Sequence, residues 1–310
     1  MKLTDEQRDR AYGVLLGTAV GDALGAGYEF GPALRRVPIG MIGGGPFQWE
    51  PGEWTDDTAM TVVIANVAAS MDDLRSKKAQ DEIVAEWVSW ARKSKDVGNQ
   101  TRTILDHVRR VHGDSIAAVK RAREYAEVYL AAGNGSLMRT SPIALAYLAD
   151  EEGLIAAAAS ISALTHVDYD AIDACILWSL AIRHAILTGE ANVRVGLAAT
   201  TDPEMWETRL QIAEVNEPRA FRNNGWVVEA LQGAWSAIHA TANFENAVTL
   251  AVRGGNDTDT VAAIAGGLSG AAYGAKAIPN LWLSSIHGWP SLSADGLNEI
   301  TDNILVRVEG

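Results

Sequence analysis

Glycine recurs at every fourth residue in two segments near opposite ends of this chain: Gly13, Gly17, Gly21 and Gly25 in the first, Gly266, Gly270 and Gly274 in the second. That spacing puts each set on one face of a helix. A glycine inside a helix costs roughly 1 kcal/mol relative to alanine, so a bare stripe implies a compensating close contact. Two such stripes predict that the two helices cross closely, bringing the end of the first helix beside the start of the second. The first helix opens at Thr4-Asp5-Glu6-Gln7, a Thr-x-x-Gln capping box, and runs to about Leu24.

Beyond the stripes the sequence reads as helix nearly throughout. Apolar residues at helical spacing mark Thr58 to Met71, Gln80 to Ser94, Asp114 to Ala132, Leu154 to Leu164, Ala171 to Leu187 with Gly189 as its stop, Trp226 to His239 and Glu245 to Val252. No stretch alternates convincingly as a strand does, no Pro/Ser/Gly-rich linker divides the chain, and no repeat of solenoid period occurs. The expectation is an all-α fold, a single multi-helix domain over residues 1–310. The segment Phe30 to Glu53 carries Gly43 to Gly45 and Pro32, Pro38, Pro46 and Pro51, without periodicity. A loop of that length is a substrate-covering lid or a disordered connection. Thr260 to Ile278 is the most membrane-like stretch, but it is rich in Ala and Gly and follows Asp257 and Asp259. It reads as a buried helix of small residues rather than a membrane span.

With 48% hydrophobic and 21% charged residues the chain has the composition of a soluble globular protein. Its net charge of -13 argues against binding nucleic acid through a general basic surface. The lone cysteine, Cys175, cannot form an internal disulfide, and no basic segment followed by an apolar run opens the chain. Both features suit a cytoplasmic protein.

Two acidic clusters carry the chemistry. Trp54-Thr55-Asp56-Asp57-Thr58 and Gly254-Gly255-Asn256-Asp257-Thr258-Asp259-Thr260 each stand at the entrance of a helical run. Adjacent residues within a helix point in different directions, so paired aspartates converge only where the backbone is entering one. Hard divalent cations take carboxylate, hydroxyl and carbonyl oxygens, which Asp and Thr supply in a small volume. The alternative is helix N-capping, for which Asp and Thr are also favoured. A cap needs one side chain, whereas each segment offers several, and the duplication favours a metal site.

Four further features stand out. Gly133-Asn134-Gly135-Ser136-Leu137-Met138-Arg139 can turn tightly and present N–H groups to an anion such as a diphosphate, or can simply end one helix and start another. Asp96 caps the helix starting near Thr101 or adds a carboxylate to the site. Glu29 is a surface acid unless the crossing helices carry it toward the metals. His166, at a helix end, complements the helix dipole or faces the site. The sequence lacks a Walker A loop, a Gly-x-Gly-x-x-Gly after a strand, His-Glu-x-x-His, Gly-x-Ser-x-Gly and paired Cys-x-x-Cys. Nucleotide hydrolysis by the usual loop, zinc proteolysis and serine hydrolase chemistry thereby lose support.

In order and spacing the segments Gly17 to Gly25, Glu29, Trp54 to Met60, Asp96-Val97-Gly98, Gly133 to Arg139, Thr165-His166, Gly255 to Thr260 and Gly266 to Pro279 resemble the ADP-ribosylglycohydrolase family. The resemblance covers nearly the whole chain. It implies an all-α fold with two divalent cations, Mg2+ or Mn2+, in a cleft that binds ADP-ribose. By the same resemblance Thr55, Asp56 and Asp57 form one group of metal ligands and Asp257, Asp259 and Thr260 the other. Glu29 and Asp96 match acids acting at or beside the metals, the candidates for proton transfer. Gly133, Asn134, Gly135, Ser136, Leu137 and Met138 match the segment lying against ADP-ribose, with His166 near the same pocket. Many members carry a proline shortly after the Thr-His pair, where this chain has Asp168-Tyr169-Asp170; the departure bears on His166, not on the metal ligands.

The implied activity is metal-dependent hydrolysis of the glycosidic bond between ADP-ribose and a modified macromolecule, a protein rather than a nucleic acid, releasing ADP-ribose. Such a reaction needs an activated water and a carboxylate to move a proton. A non-catalytic ADP-ribose-binding module is the second reading, and the intact acids of both clusters argue against it. A hydrolase of a free ADP-ribose derivative or another N-glycoside is the third. Discrimination among linkages is expected at the cleft rim, in the Phe30 to Glu53 loop and near Trp206 to Asn224. The metal preference and oligomeric state are not encoded in these motifs.

Overall fold

The computed structural model describes residues 1–310 apart from 71, 72 and 130. Met71 and Leu130, which the sequence assigns to helices, therefore lie outside the described residues. In chain order the helices are α1 (Asp5–Gly25), α2 (Asp56–Ser70), α3 (Lys77–Ala91), α4 (Asn99–Val111), α5 (Ser115–Ala126), α6 (Ser141–Ala146) and α7 (Glu151–Ala163). They continue as α8 (Tyr169–Thr188), α9 (Pro203–Glu214), α10 (Val227–His239), α11 (Phe244–Val252), α12 (Thr258–Tyr273), α13 (Asn280–Leu283) and α14 (Ala294–Glu309). Among the described residues the only paired strands are two-residue pieces, β1 (His287–Gly288) and β2 (Leu292–Ser293), paired antiparallel. The all-α expectation holds.

The glycine stripes meet. A Cβ added at Gly17 would lie 2.2 Å from the Gly266 carbonyl oxygen, and one at Gly266 would lie 2.0 Å from that of Gly17. Gly13 and Gly270 are related in the same way, at 2.1 and 1.8 Å. Gly21 packs against the Ala262 carbonyl and Gly25 against the backbone of Asp259. α1 and α12 therefore touch backbone to backbone along most of their length, and the end of α1 lies on the first turn of α12. Around this pair sit α8, α10, α11 and α14, with α2 and α6 completing the core. One glycine departs from the stripe: α12 stops at Tyr273, and Gly274 is its C-cap at φ +85°, beside Asp9.

Local signals explain the termini. Thr4 and Gln7 form the expected capping box. Gly189 closes α8 at φ +84°, a left-handed conformation that suits glycine. The helix expected over Asp114 to Ala132 is shorter, stopping at Ala126, and the chain then turns back toward Trp226, where Val227 N–H donates to the Ala132 carbonyl at 2.9 Å. Among the described residues the helix long and apolar enough to cross a bilayer is α8, not the stretch from Thr260 to Ile278. Since 72% of its apolar window is buried against neighbouring helices, it reads as a core helix.

Candidate metal centre and substrate cleft

The two acidic clusters, separated by most of the sequence, arrive at one place. α2 and α12 both begin beside the C-terminal end of α1, and Thr260 Oγ1 lies 3.4 Å from Asp57 Oδ2. Carboxylate oxygens of Asp57 and Asp259, with one from Asp22, fall within 4.8 Å of one another, as do those of Glu29, Asp257 and Asp259. Asp259 belongs to both sets.

The N-capping alternative fails at both entrances. α2 is capped by an acid from another helix: Asp22 of α1 accepts from Thr55 N–H (3.0 Å to Oδ1), Thr58 N–H (2.9 Å to Oδ2) and the Thr58 hydroxyl (2.6 Å to Oδ2). Asp56 and Asp57 are thereby left with their carboxylates aimed elsewhere. Asp57 accepts from the Thr55 hydroxyl at 3.1 Å, while its Oδ1 is buried with no partner. At the second entrance Asp257 occupies the N-cap position of α12 but makes no side-chain cap bond. Its Oδ2 instead accepts from Asn134 Nδ2 at 2.7 Å. Asn224 holds that loop in place, accepting from Asp257 N–H at 3.1 Å and donating to the Gly255 carbonyl at 2.9 Å. Asp22 and Asn224 escaped assignment to the site from the sequence. Asp22 left one signal, a lone acid on an otherwise apolar stretch of α1, and Asn224 another, in the turn sequence Asn223-Asn224-Gly225.

Beside these acids opens a cleft of about 570 Å3. Glu29, Asp56, Asp96, Asp257, Asp259 and Thr260 are among the residues that line it. Glu29 is half-buried, not a solvated surface acid, and its Oε2 is buried without a partner. Asp96 is not the cap of α4, whose N-cap is Gly98 without a side-chain bond. The Gly98 N–H donates instead to Asp56 Oδ2 at 3.3 Å. Phe30 and Phe47, from the Phe30 to Glu53 loop, stand at the cleft with ring centroids 6.4 Å apart. The loop therefore contributes two aromatic rings to the cleft.

Gly133, Asn134, Gly135, Met138 and His166 also line the cleft. Ser136 and Leu137, expected with them, turn inward: both are buried, and the Ser136 hydroxyl faces Ser162 Oγ (3.0 Å) and Cys175 Sγ (3.4 Å). Asn134 is committed to the protein, its N–H to the Gly225 carbonyl and its amide to Asp257 and the Asn224 carbonyl. The two glycines make room for an imidazole, since a Cβ at Gly135 would lie 3.0 Å from His166 Cε1. α7 ends before His166, whose ring is buried in the connection to α8. Burial, then the nearby Arg139 cation, pulls its pKa down to about 3, so a neutral ring does not serve the helix dipole. Thr165 Oγ1 lies 2.7 Å from both His166 Nδ1 and Arg139 Nη2. Arg139 is fully buried, its guanidinium 4.1 Å from the Trp87 ring centroid.

Burial also dominates the acids. It pushes Glu29 up to about 9, helped by Asp257 and Asp96, and Asp56 up to about 8, helped by Asp96 and Asp22. Asp57 and Asp259 are driven well above the usual carboxylate range for the same reason. Desolvated carboxylates that repel one another need a cation or protons. Oxygen-only donors and unpartnered buried oxygens at Asp57 and Glu29 fit a hard divalent cation. Asp22 is close enough to join the ligands, but its oxygens are already engaged by α2, so it is better described as the residue that orients Thr55, Asp56 and Asp57.

The chain is similar to known proteins over nearly its whole length. The family model described as ADP-ribosylglycohydrolase matches residues 3–310. The ADP-ribosylarginine hydrolase Tri1 of Serratia proteamaculans (strain 568) is 30% identical over 288 residues, covering 91% of this chain and 76% of that protein. The ADP-ribosyl-[dinitrogen reductase] glycohydrolase of Rhodospirillum rubrum is 33% identical over 287 residues, covering 90% of each. A solved structure described as an ADP-ribosylglycohydrolase-related protein complex superposes with a TM-score of 0.77 at 28% identity, over 98% of this chain and 99% of that one.

Proposed function

Because the chain belongs to the ADP-ribosylglycohydrolase family and is a hydrolase of ADP-ribosylated targets, we propose that it removes ADP-ribose from arginine side chains of proteins with the help of two divalent cations, Mg2+ or Mn2+. The observation that carries the reading is the meeting of Asp57 and Thr260, from opposite ends of the sequence, in one acid-lined cleft. Thr55, Asp56 and Asp57 would hold one cation and Asp257, Asp259 and Thr260 the other. Bound there, the cations supply a lowered pKa for a water molecule and a grip on ribose hydroxyls.

The rest is the work of the chain itself. Gly133 and Gly135 let the His166 ring stand at the cleft wall, where its Nε2 donates to the ligand. Asn134 keeps Asp257 turned toward the cleft. Hydrolysis breaks the bond between the anomeric carbon and the guanidine nitrogen, joins the water oxygen to that carbon, and needs a proton moved from the water to the leaving nitrogen. We assign the proton to Glu29 at its unpartnered Oε2, with Asp96 as the second carboxylate of the pair.

The arginine linkage is supported by the Serratia relative named for it and by the charge of the cleft. A guanidinium is a planar cation that suits carboxylates and aromatic faces, and Phe30 and Phe47 stand at the same opening. The lone Cys175, buried and unpaired, supports a cytoplasmic location. The test is release of free ADP-ribose, followed by mass spectrometry, from arginine-, serine- and DNA-linked substrates with Mg2+ or Mn2+ and then with chelator. Release from the arginine-linked substrate, abolished by chelator and roughly 100- to 10,000-fold slower in Glu29→Gln, is expected. Faster release from the serine- or DNA-linked substrate would replace the linkage, and full turnover of Glu29→Gln would move the proton transfer to Asp96.

A further inference from the structure

Outside the catalytic cleft, four arginines gather around a pocket of about 450 Å3 between the Phe30 to Glu53 loop and the end of α11: Arg35, Arg36, Arg219 and Arg253. In a chain of net charge -13 such a gathering needs an explanation. Arg219 is neutralised by Glu217 at 2.7 Å. Among the described residues Arg35, Arg36 and Arg253 have no ion pair, and Arg253 Nη1 is buried without any hydrogen-bond partner. Leu34 and Leu250 form apolar wall. A buried guanidinium nitrogen without a partner costs free energy, which an anion bound in the pocket would recover.

We propose that this pocket is a second ligand site, taking the phosphate groups of a small molecule of nucleotide size. Guanidinium forks bind phosphate oxygens in pairs, and three uncommitted forks around one concavity suit two linked phosphates better than a single carboxylate. The volume is that of a small-molecule site, and the leucines offer contact to an organic moiety beyond the phosphates. An acidic peptide segment is the competing occupant, which would meet Arg35 and Arg36 at the exposed rim but would leave the buried Arg253 Nη1 unpartnered.

The pocket is also tied to the cleft. Leu34 N–H donates to the Arg253 carbonyl at 3.0 Å, and Asn256 N–H donates to the Gly31 carbonyl at 2.8 Å. Gly255, at φ +78°, has room for no side chain, since a Cβ would lie 2.5 Å from the Ala33 nitrogen. The rim that carries Arg35 and Arg36 is thus fastened to the loop that delivers Asp257.

Calorimetry with inorganic pyrophosphate and with ADP, in chelator so that no metal complex forms, tests the site. The expected result is one-to-one binding that weakens at least tenfold in Arg36→Ala and in Arg253→Gln and is unchanged in Asp96→Asn. Arg36 is exposed, so its variant folds even if Arg253→Gln does not. Tighter binding of ADP than of pyrophosphate would identify a nucleotide as the source of the phosphates, and equal binding an inorganic one. Binding that ignores the arginine variants but changes in Asp96→Asn would place the anion in the catalytic cleft and overturn the proposal. So would failure of both phosphates with saturable binding of a glutamate-rich peptide, which would make the pocket a protein-docking surface. Neither result depends on the arginine linkage proposed above, because no turnover is measured.

Discussion

Thr165 decides which nitrogen of His166 carries the proton. Arg139 Nη2 can only donate, so the Thr165 hydroxyl oxygen accepts from it, and the hydroxyl hydrogen is left for His166 Nδ1. Nδ1 is then an acceptor, and Nε2, on the cleft side near Gly133 and Gly135, holds the N–H. Arg139 stays charged at neutral pH even though burial lowers it to about 9. Thr165→Val keeps the shape and removes the relay. We expect 15N NMR to show Nε2–H alone in the parent and a tautomer mixture in the variant. ADP-ribose affinity should fall about fivefold, the equivalent of about 1 kcal/mol for one neutral hydrogen bond. Finding Nδ1–H in the parent would refute the relay. This geometry shows why the site was only partly legible in the sequence. Asp56, Asp57, Asp257 and Asp259 stand in dense clusters at helix entrances and declare themselves. Asp22 sits in the last turn of α1, and its role depends on where another helix begins. Ser136 and Leu137 shared a motif with cleft residues, but only the turn of the backbone determines which of them face outward.

The crossing of α1 and α12 was readable from spacing alone, because a glycine stripe is costly unless a second backbone lies on it. Gly17→Ala and Gly266→Ala should each destabilise the protein by about 1–3 kcal/mol, the usual cost of overpacking, since each methyl group would meet a carbonyl oxygen at 2.2 or 2.0 Å. Gly40, with open space where its Cβ would stand, is the control: Gly40→Ala should leave the denaturant midpoint nearly unchanged. Equal midpoints for all three variants would mean that the helices separate easily. Other elements were harder to read. α9 opens with Asp202-Pro203 and buries only Trp206, Leu210 and Ala213, a stripe too narrow to stand out. α14 buries Leu297, Ile300, Thr301, Ile304 and Leu305 in good helical order, but its first turn contains Gly296 and its N-cap Ser293 makes no side-chain bond. Local signals at that end resemble a turn, and the helix is secured by packing against α2 and α1.

A fold that buries this many carboxylates at one crossing has a stability that depends on what neutralises them. The unfolded acids titrate near 4, whereas burial holds Glu29 at about 9, Asp56 at about 8 and Asp22 at about 6. Between those values the folded chain keeps protons that the unfolded chain has released, so stability is greatest at low pH and is lost as pH rises through the folded values. His166 works in the opposite direction: with a folded value of about 3 it contributes stability above 6.5 that is lost as pH falls. Above pH 6.5 the imidazole is neutral in both states, and the acids set the slope until Arg139, lowered to about 9, begins to release its proton and opposes them. In chelator, therefore, the calorimetric Tm should fall from pH 6.5 to pH 8. A divalent cation replaces the protons: at a hundred times its Kd a bound ion adds about 2.7 kcal/mol, and it holds the carboxylates ionised across the whole range. Saturating Mg2+ or Mn2+ should raise the Tm and flatten its pH dependence. A Tm in chelator that is level from pH 6.5 to 8, or a slope that survives saturating cation, would mean that the acids are neutralised from within the protein and that the cleft does not need an ion to fold.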